Sequence, residues 1–277
     1  MTTRTMSGFV ARLAAAAIAV ALVLALRPLA AEEKPGGVAA VVRQASLLDQ
    51  ALSALQPGDS ASHLYFVGFA AYGPEAVFKR EVVAVRELFD ERLGTKDRSV
   101  ALINHASTAE DVPLASSDNL DRVLQHLGRI MHRDRDTLFL FLTSHGEPGL
   151  LAVVMPGLEL GHLTPGALRQ MLDRSGIQKR VVVVSACYSG SFIPALAGPN
   201  TLVIAAARGD RPSFGCSDKR TWTYFGDAYF NRALRKETSF KKAFHRASEL
   251  VERWERLGRL KPSLPQMAGG EGLGLQE

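Results

Sequence analysis

Residues 137–146 read Thr-Leu-Phe-Leu-Phe-Leu-Thr-Ser-His-Gly, and residues 181–191 read Val-Val-Val-Val-Ser-Ala-Cys-Tyr-Ser-Gly-Ser. Each opens with an unbroken apolar run of strand length. A strand with no polar alternation is buried on both faces, and such strands belong to parallel sheets covered by helices. Between the two runs, Thr164-Pro165 opens a helix with a cap and a proline in its first turn, and Gly176 stops it. Upstream, Leu64–Phe69 and Val100–Ile103 read as further strands. Phe78–Leu93 reads as an amphipathic helix ending at Gly94, and Ser117-Asp118-Asn119 caps a helix running to about Met131. Downstream, Thr201–Ala206 is a strand, and Asp227–Leu234 and Phe240–Leu257 are helices. Gly146–Gly161 is punctuated by Gly and Pro and reads as a small hairpin. Strands alternating with helices predict one α/β domain with helices on both faces of a parallel sheet.

Before the domain, Met1–Ala31 carries Arg4, Arg12 and Arg27 and no acid. Leu13–Leu26 is a 14-residue apolar run, short of the ~20 residues that a spanning helix needs. The segment reads as a secretory signal or, uncleaved, as a membrane anchor. Either reading exports the chain, to the periplasm or beyond, and the second gives it a membrane tether. The chain then divides into this segment (1–31), a linker and N-terminal helix (32–63), the α/β domain (64–267) and a flexible Gly-rich tail (268–277). Glu32–Gln56 is either a propeptide or a packed helix. Without the three leader arginines the net charge drops from +5 to +2, which removes the case for a nucleic-acid partner. His162 and His245 have no companions at metal-ligand spacing, and no Gly-rich phosphate loop is present, so neither metal nor cofactor is expected.

In open parallel sheets, ligands bind beyond the carboxyl ends of the strands. Two such ends carry His145 and Cys187, 42 positions apart and both flanked by small residues. A thiol nucleophile needs a partly exposed strand-end position and an acid/base within reach. His145 can take the thiol proton and later protonate a leaving amine. The backbone N–H groups of Gly146 and Cys187 are candidates for an oxyanion hole, worth roughly 3–4 kcal/mol per donor. The second cysteine, Cys216, reads as a buried small hydrophobe.

These motifs also carry a resemblance. Ser144-His145-Gly146, Gly149-Leu150-Leu151 and Ala186-Cys187-Tyr188-Ser189-Gly190-Ser191-Phe192 are similar to the legumain (asparaginyl endopeptidase) family of cysteine peptidases, within the caspase-like group. Ser213-Phe214-Gly215-Cys216 and Thr223-Tyr224-Phe225-Gly226-Asp227 follow in family order. The resemblance implies a caspase-like three-layer α/β sandwich with a mainly parallel sheet of about six strands. It implies hydrolysis of peptide or protein substrates through a thioester, with Cys187 and His145 as the dyad and no cofactor. It implies a substrate pocket drawing on Lys79, Arg80, Ser213 and Asp227, and cleavage after Asn or Asp. The chain departs from the pattern where Ala76-Val77-Phe78 replaces a stretch that holds an Asn in some relatives, and where Tyr188 replaces an acid. The same dyad would serve a transpeptidase. A silent caspase-like module at the envelope is the reading of a different class.

Overall fold

The computed structural model describes residues 36–274; the segment 1–31, read above as a signal or anchor, lies outside them. From Val41 on, the described residues form one body. Its elements are α1 (Gly36–Ser53), β1 (Leu64–Ala70), α2 (Ala76–Arg92), β2 (Ser99–Ile103), α3 (Ser117–Ile130), β3 (Thr137–Thr143), β4 (Gly146–Glu147), β5 (Leu150–Leu151), α4 (Pro165–Ser175), β6 (Lys179–Ser185), α5 (Ile193–Leu196), β7 (Thr201–Ala205), α6 (Tyr224–Gly226), α7 (Phe240–Leu257) and β8 (Gln266–Ala268). A π-helical segment, Asp227–Ala233, continues α6. Strands order β2-β1-β3-β6-β7-β8, with the first five parallel and β8 antiparallel to β7. This is the expected α/β sandwich, and β4 and β5 form the expected small hairpin.

The apolar runs fill two cores at once. Successive side chains on a strand point to opposite faces. Leu138, Leu140, Val182 and Val184 therefore pack on one side with residues of α1, α3 and α4. Phe139, Phe141, Val181 and Val183 pack on the other, against residues of α2, α7 and the π-helical segment. The Thr164 cap read from the sequence forms, accepting from the Ala167 N–H, whereas α3 is capped one residue earlier than Ser117-Asp118-Asn119 implied, by Ser116, which accepts from the Asn119 N–H.

Two segments are better anchored than their composition suggests. The glycines near the C-terminus do not make a loose tail. Gln266–Ala268 adds the sixth strand, Gly269 and Gly270 lie too close to the Thr201–Leu202 backbone to admit a Cβ, and Leu273 is buried. At the other end, α1 places Leu48 and Leu52, with Leu55 just beyond, in the first core. The Gln44 side chain donates to the Ala109 carbonyl and accepts from the Leu114 N–H. The helix that ends at Ser53, and Leu55 beyond it, are thus packed on the domain. Leu48→Ala should lower the unfolding free energy by about 2–5 kcal/mol in urea denaturation; a loss below about 0.5 kcal/mol, the level of a surface change, would mark the helix as dispensable.

Candidate active site

The sheet register builds the site. Ala70, Thr143 and Ser185 are paired across the carboxyl ends of β1, β3 and β6. His145 lies two residues past Thr143, and Cys187 two past Ser185. The two segments touch: the Ser144 N–H donates to the Ser185 carbonyl at 3.3 Å, and a Cβ on Gly146 would fall 2.4 Å from the Cys187 carbonyl oxygen. Gly146 is glycine because no side chain fits there.

His145 is held on three sides. Tyr72 and Phe78 meet its ring edge-on, with centroids 4.5 and 5.2 Å away. Its Nε2 lies 3.1 Å from Oε2 of Glu75. A carboxylate only accepts, so this contact puts the proton on Nε2 and leaves Nδ1 as the free base. Glu75 stands at the N-cap of α2, yet its side chain makes no capping bond and serves the imidazole instead. Sequence reasoning missed Glu75. It follows β1 as His145 follows β3, so the strand-end rule could have found it.

Cys187 is partly exposed. Its Sγ accepts from the Ser213 N–H at 3.2 Å and lies 3.5 Å from the Ser213 carbonyl. The following Tyr188 has φ 56° and ψ 17°, a left-handed conformation that costs a non-glycine residue about 1 kcal/mol. Its N–H donates to the Arg211 carbonyl, and its carbonyl accepts from both the N–H and Oγ of Ser191. The same Oγ accepts from the Gly149 N–H, tying the β4–β5 hairpin to the turn after Cys187. Cys216 is different in kind. Burial, reinforced by Cys187 nearby, pushes its thiol up to about 12, which leaves it un-ionised and unreactive. Both thiols are free.

Of the four pocket candidates, Ser213 reaches Cys187 through its backbone. Arg80 donates to the Asp218 and Arg220 carbonyls and so grips the loop that carries Ser213. Lys79 Nζ donates to Ser107 Oγ at 2.7 Å. Asp227 is engaged along its own helix, by Asn231 at 2.7 Å and Arg232 at 3.2 Å. Among the described residues no cluster of His, Cys, Asp and Glu could hold a metal ion.

A six-stranded α/β sandwich with a cysteine and a histidine at adjacent strand ends has the architecture of the caspase-like proteins. Caspase-1 from Spodoptera frugiperda shares the fold, with a TM-score of 0.52 and 15% identity over 76% of this chain and 88% of that one. The profile of the Peptidase C13 family matches residues 117–269, more than half of the chain, and the chain belongs to that family, which is the legumain family. It is 33% identical to legumain from Mus musculus over 97 residues and 34% identical to hemoglobinase from Schistosoma japonicum over 100. Each match covers 34% of this chain but only 22% and 23% of those proteins.

The Gly146–Cys187 contact is backbone against Cβ and cannot be relieved by a rotamer change. Gly146→Ala should keep its far-UV circular dichroism while alkylation of Cys187 by a peptidyl thiol probe slows about 10²-fold, the scale of a 1 Å misplacement. Labelling within twofold of wild type would show that the close approach is not needed.

Proposed function

We propose that this protein is an exported cysteine endopeptidase, in which Cys187 attacks the scissile carbonyl and His145 moves the protons. The reading is carried by one observation: His145 and Cys187 stand at the same offset beyond register-paired residues of adjacent parallel strands. Family membership and the Glu75 contact support it. The steps follow from the groups present. His145 Nδ1 takes the thiol proton, and Sγ bonds to the carbonyl carbon. The backbone N–H groups of Gly146 and Cys187 are assigned to the resulting oxyanion. The tetrahedral intermediate collapses to a thioester, and the imidazolium protonates the departing amine. Water, deprotonated by His145, then attacks the thioester; the acid leaves and the thiol regains its proton. The Glu75 carboxylate fixes the imidazole tautomer and stabilises the imidazolium between steps.

Lys79, Arg80, Ser213 and Asp227 are assigned to the pocket for the residue before the scissile bond, with Asn or Asp as the preferred residue. An acid and a base together suit an amide that both donates and accepts. Ser213 lies against the thiol, and Arg80 fixes its loop, so both bear on that pocket. Export rests on the Arg-flanked apolar run of residues 13–26. No helix of the described residues is long and apolar enough to cross a membrane, so a tether would have to lie in that run.

An irreversible peptidyl thiol probe tests the chemistry. It should label Cys187 in the folded protein and leave Cys187→Ala unlabelled. Labelling should slow by at least about 10²-fold in His145→Ala, and less in Glu75→Gln, which keeps a hydrogen bond and loses the charge. Labelling of Cys216 at the rate of Cys187 would overturn the assignment. A peptide-library cleavage profile tests the pocket: Asp227→Ala should erase the preference for Asn, and an unchanged profile would remove Asp227 from the pocket.

A further inference from the structure

Glu81, in the second turn of α2, is fully buried. Its Oε2 accepts a hydrogen bond from Thr143 Oγ1 at 2.7 Å. Its Oε1 accepts two from Thr223, from the N–H at 3.0 Å and from Oγ1 at 2.8 Å. Thr143 ends β3, two residues before His145. Thr223 Oγ1 lies 3.2 Å from the Oγ of Ser185, which ends β6 two residues before Cys187. It also accepts from the Gly226 N–H at 2.9 Å, capping α6. Beside Thr223, the Tyr224 N–H donates to the Phe214 carbonyl at 2.9 Å, fixing the neighbour of Ser213, whose N–H meets the Cys187 sulfur. One buried carboxyl group therefore joins the two strand ends that carry His145 and Cys187 to the segment 213–227 that lies against the thiol.

We propose that Glu81 is a positioning residue that seats the segment 213–227 on Cys187, and that the proton it carries keeps that segment closed. What closure does for catalysis rests on the peptidase reading; closure itself does not.

The thermodynamics follow from burial. Burial holds the carboxyl well above its ordinary range, at about 7, and Asp227, facing it from the helix after Thr223, pushes the same way. The donors Thr143 and Thr223 pull down without overcoming this. Glu81 in turn helps to raise the Cys216 thiol in the loop, after burial and Cys187. The ionisable groups on the segments that follow β3 and β6 are His145 and Cys187, two residues past Thr143 and Ser185. Protonation reverses the Thr143 bond and keeps the geometry: Oε2–H then donates to Thr143 Oγ1 over the same 2.7 Å, while Oε1 keeps both Thr223 donors. If the segment lifts and water reaches Glu81, the carboxyl returns toward its ordinary value of 4.5. The closed form then holds a proton that the open form releases. Below that value both forms are protonated and pH has no effect. Between there and about 7 each pH unit favours opening about tenfold, and above that the effect saturates.

Hydrogen exchange followed by mass spectrometry at pH 5 and pH 8, corrected for intrinsic exchange rates, reads the seat directly. Peptides covering 213–227 should lose protection on the order of a hundredfold between the two in the wild type, with β1 peptides unchanged. In Glu81→Gln, whose amide donates to Thr143 and accepts from Thr223 at any pH, the loss should vanish. A flat wild-type profile, or an equal loss in Glu81→Gln, would overturn the proposal. Parallel turnover measurements separate it from the peptidase reading. The ratio of kcat/KM for Glu81→Gln to wild type should rise about tenfold or more from pH 5 to pH 8. An exchange response in a protein that turns over no peptide would support the seat and sink the peptidase.

Discussion

The pairing of β3 with β6 governs the site. Thr143 lies opposite Ser185, and a one-residue slip would both turn His145 away from Cys187 and move every side chain of the strand to the opposite core. These strands are apolar on both faces, so polarity does not set their register. Bulk and end anchors do. Phe139 and Phe141 interleave with Phe89, Phe230 and Phe240 on one face, where the leucines of the same strand would leave space. At the amino end, the buried Asp136 accepts from the His63 and His132 N–H groups, and the Thr137 N–H donates to the His63 carbonyl. At the carboxyl end the Ser144–Ser185 bond closes the ladder. The offset of His145 and Cys187 is thus a consequence of core packing further back along the strands that carry them.

A polar frame beneath the sheet edge converts that register into a shaped site. Asn104, at the end of β2, donates to the Ala71 and Ala115 carbonyls and accepts from the Ala115 N–H. Ala71 in turn donates to Thr143 and accepts from Val154. Tyr72, which walls His145, is carried by this lattice. Such groups stay in place because a buried donor or acceptor without a partner costs about 1–3 kcal/mol, so each bond locks the next.

Much of this was legible from the residues alone. Five strands, the helices between them, and the strand-end positions of His145 and Cys187 follow from one-dimensional pattern: apolar runs, caps and small residues at the turns. What stayed hidden depends on distance in sequence. Glu81 sits in the run Arg80-Glu81-Val82-Val83, where it reads as one charge on an amphipathic helix, yet its partners are 62 and 142 residues away. Glu75 reads as a loop acid. The strand Gln266–Ala268 is three residues long in a Gly-rich setting, and composition cannot tell glycines that loosen a chain from glycines that admit close packing. The spacing of Lys79, Arg80 and Asp227 likewise says nothing of which partner each side chain takes.

Glu75 and Glu81 show why residue type alone does not assign chemistry. They are six positions apart on one stretch of chain, and both point toward the same strand ends. Glu75 is partly exposed, touches an imidazole through one oxygen, and keeps water on the rest of its surface. Glu81 is sealed from water, is opposed by Asp227, and meets only neutral donors. Three neutral hydrogen bonds do not replace the hydration of a carboxylate, so burial raises the Glu81 carboxyl to about 7. One carboxyl group therefore holds the imidazole of His145 in place. The other joins both strand ends to the segment beside Cys187.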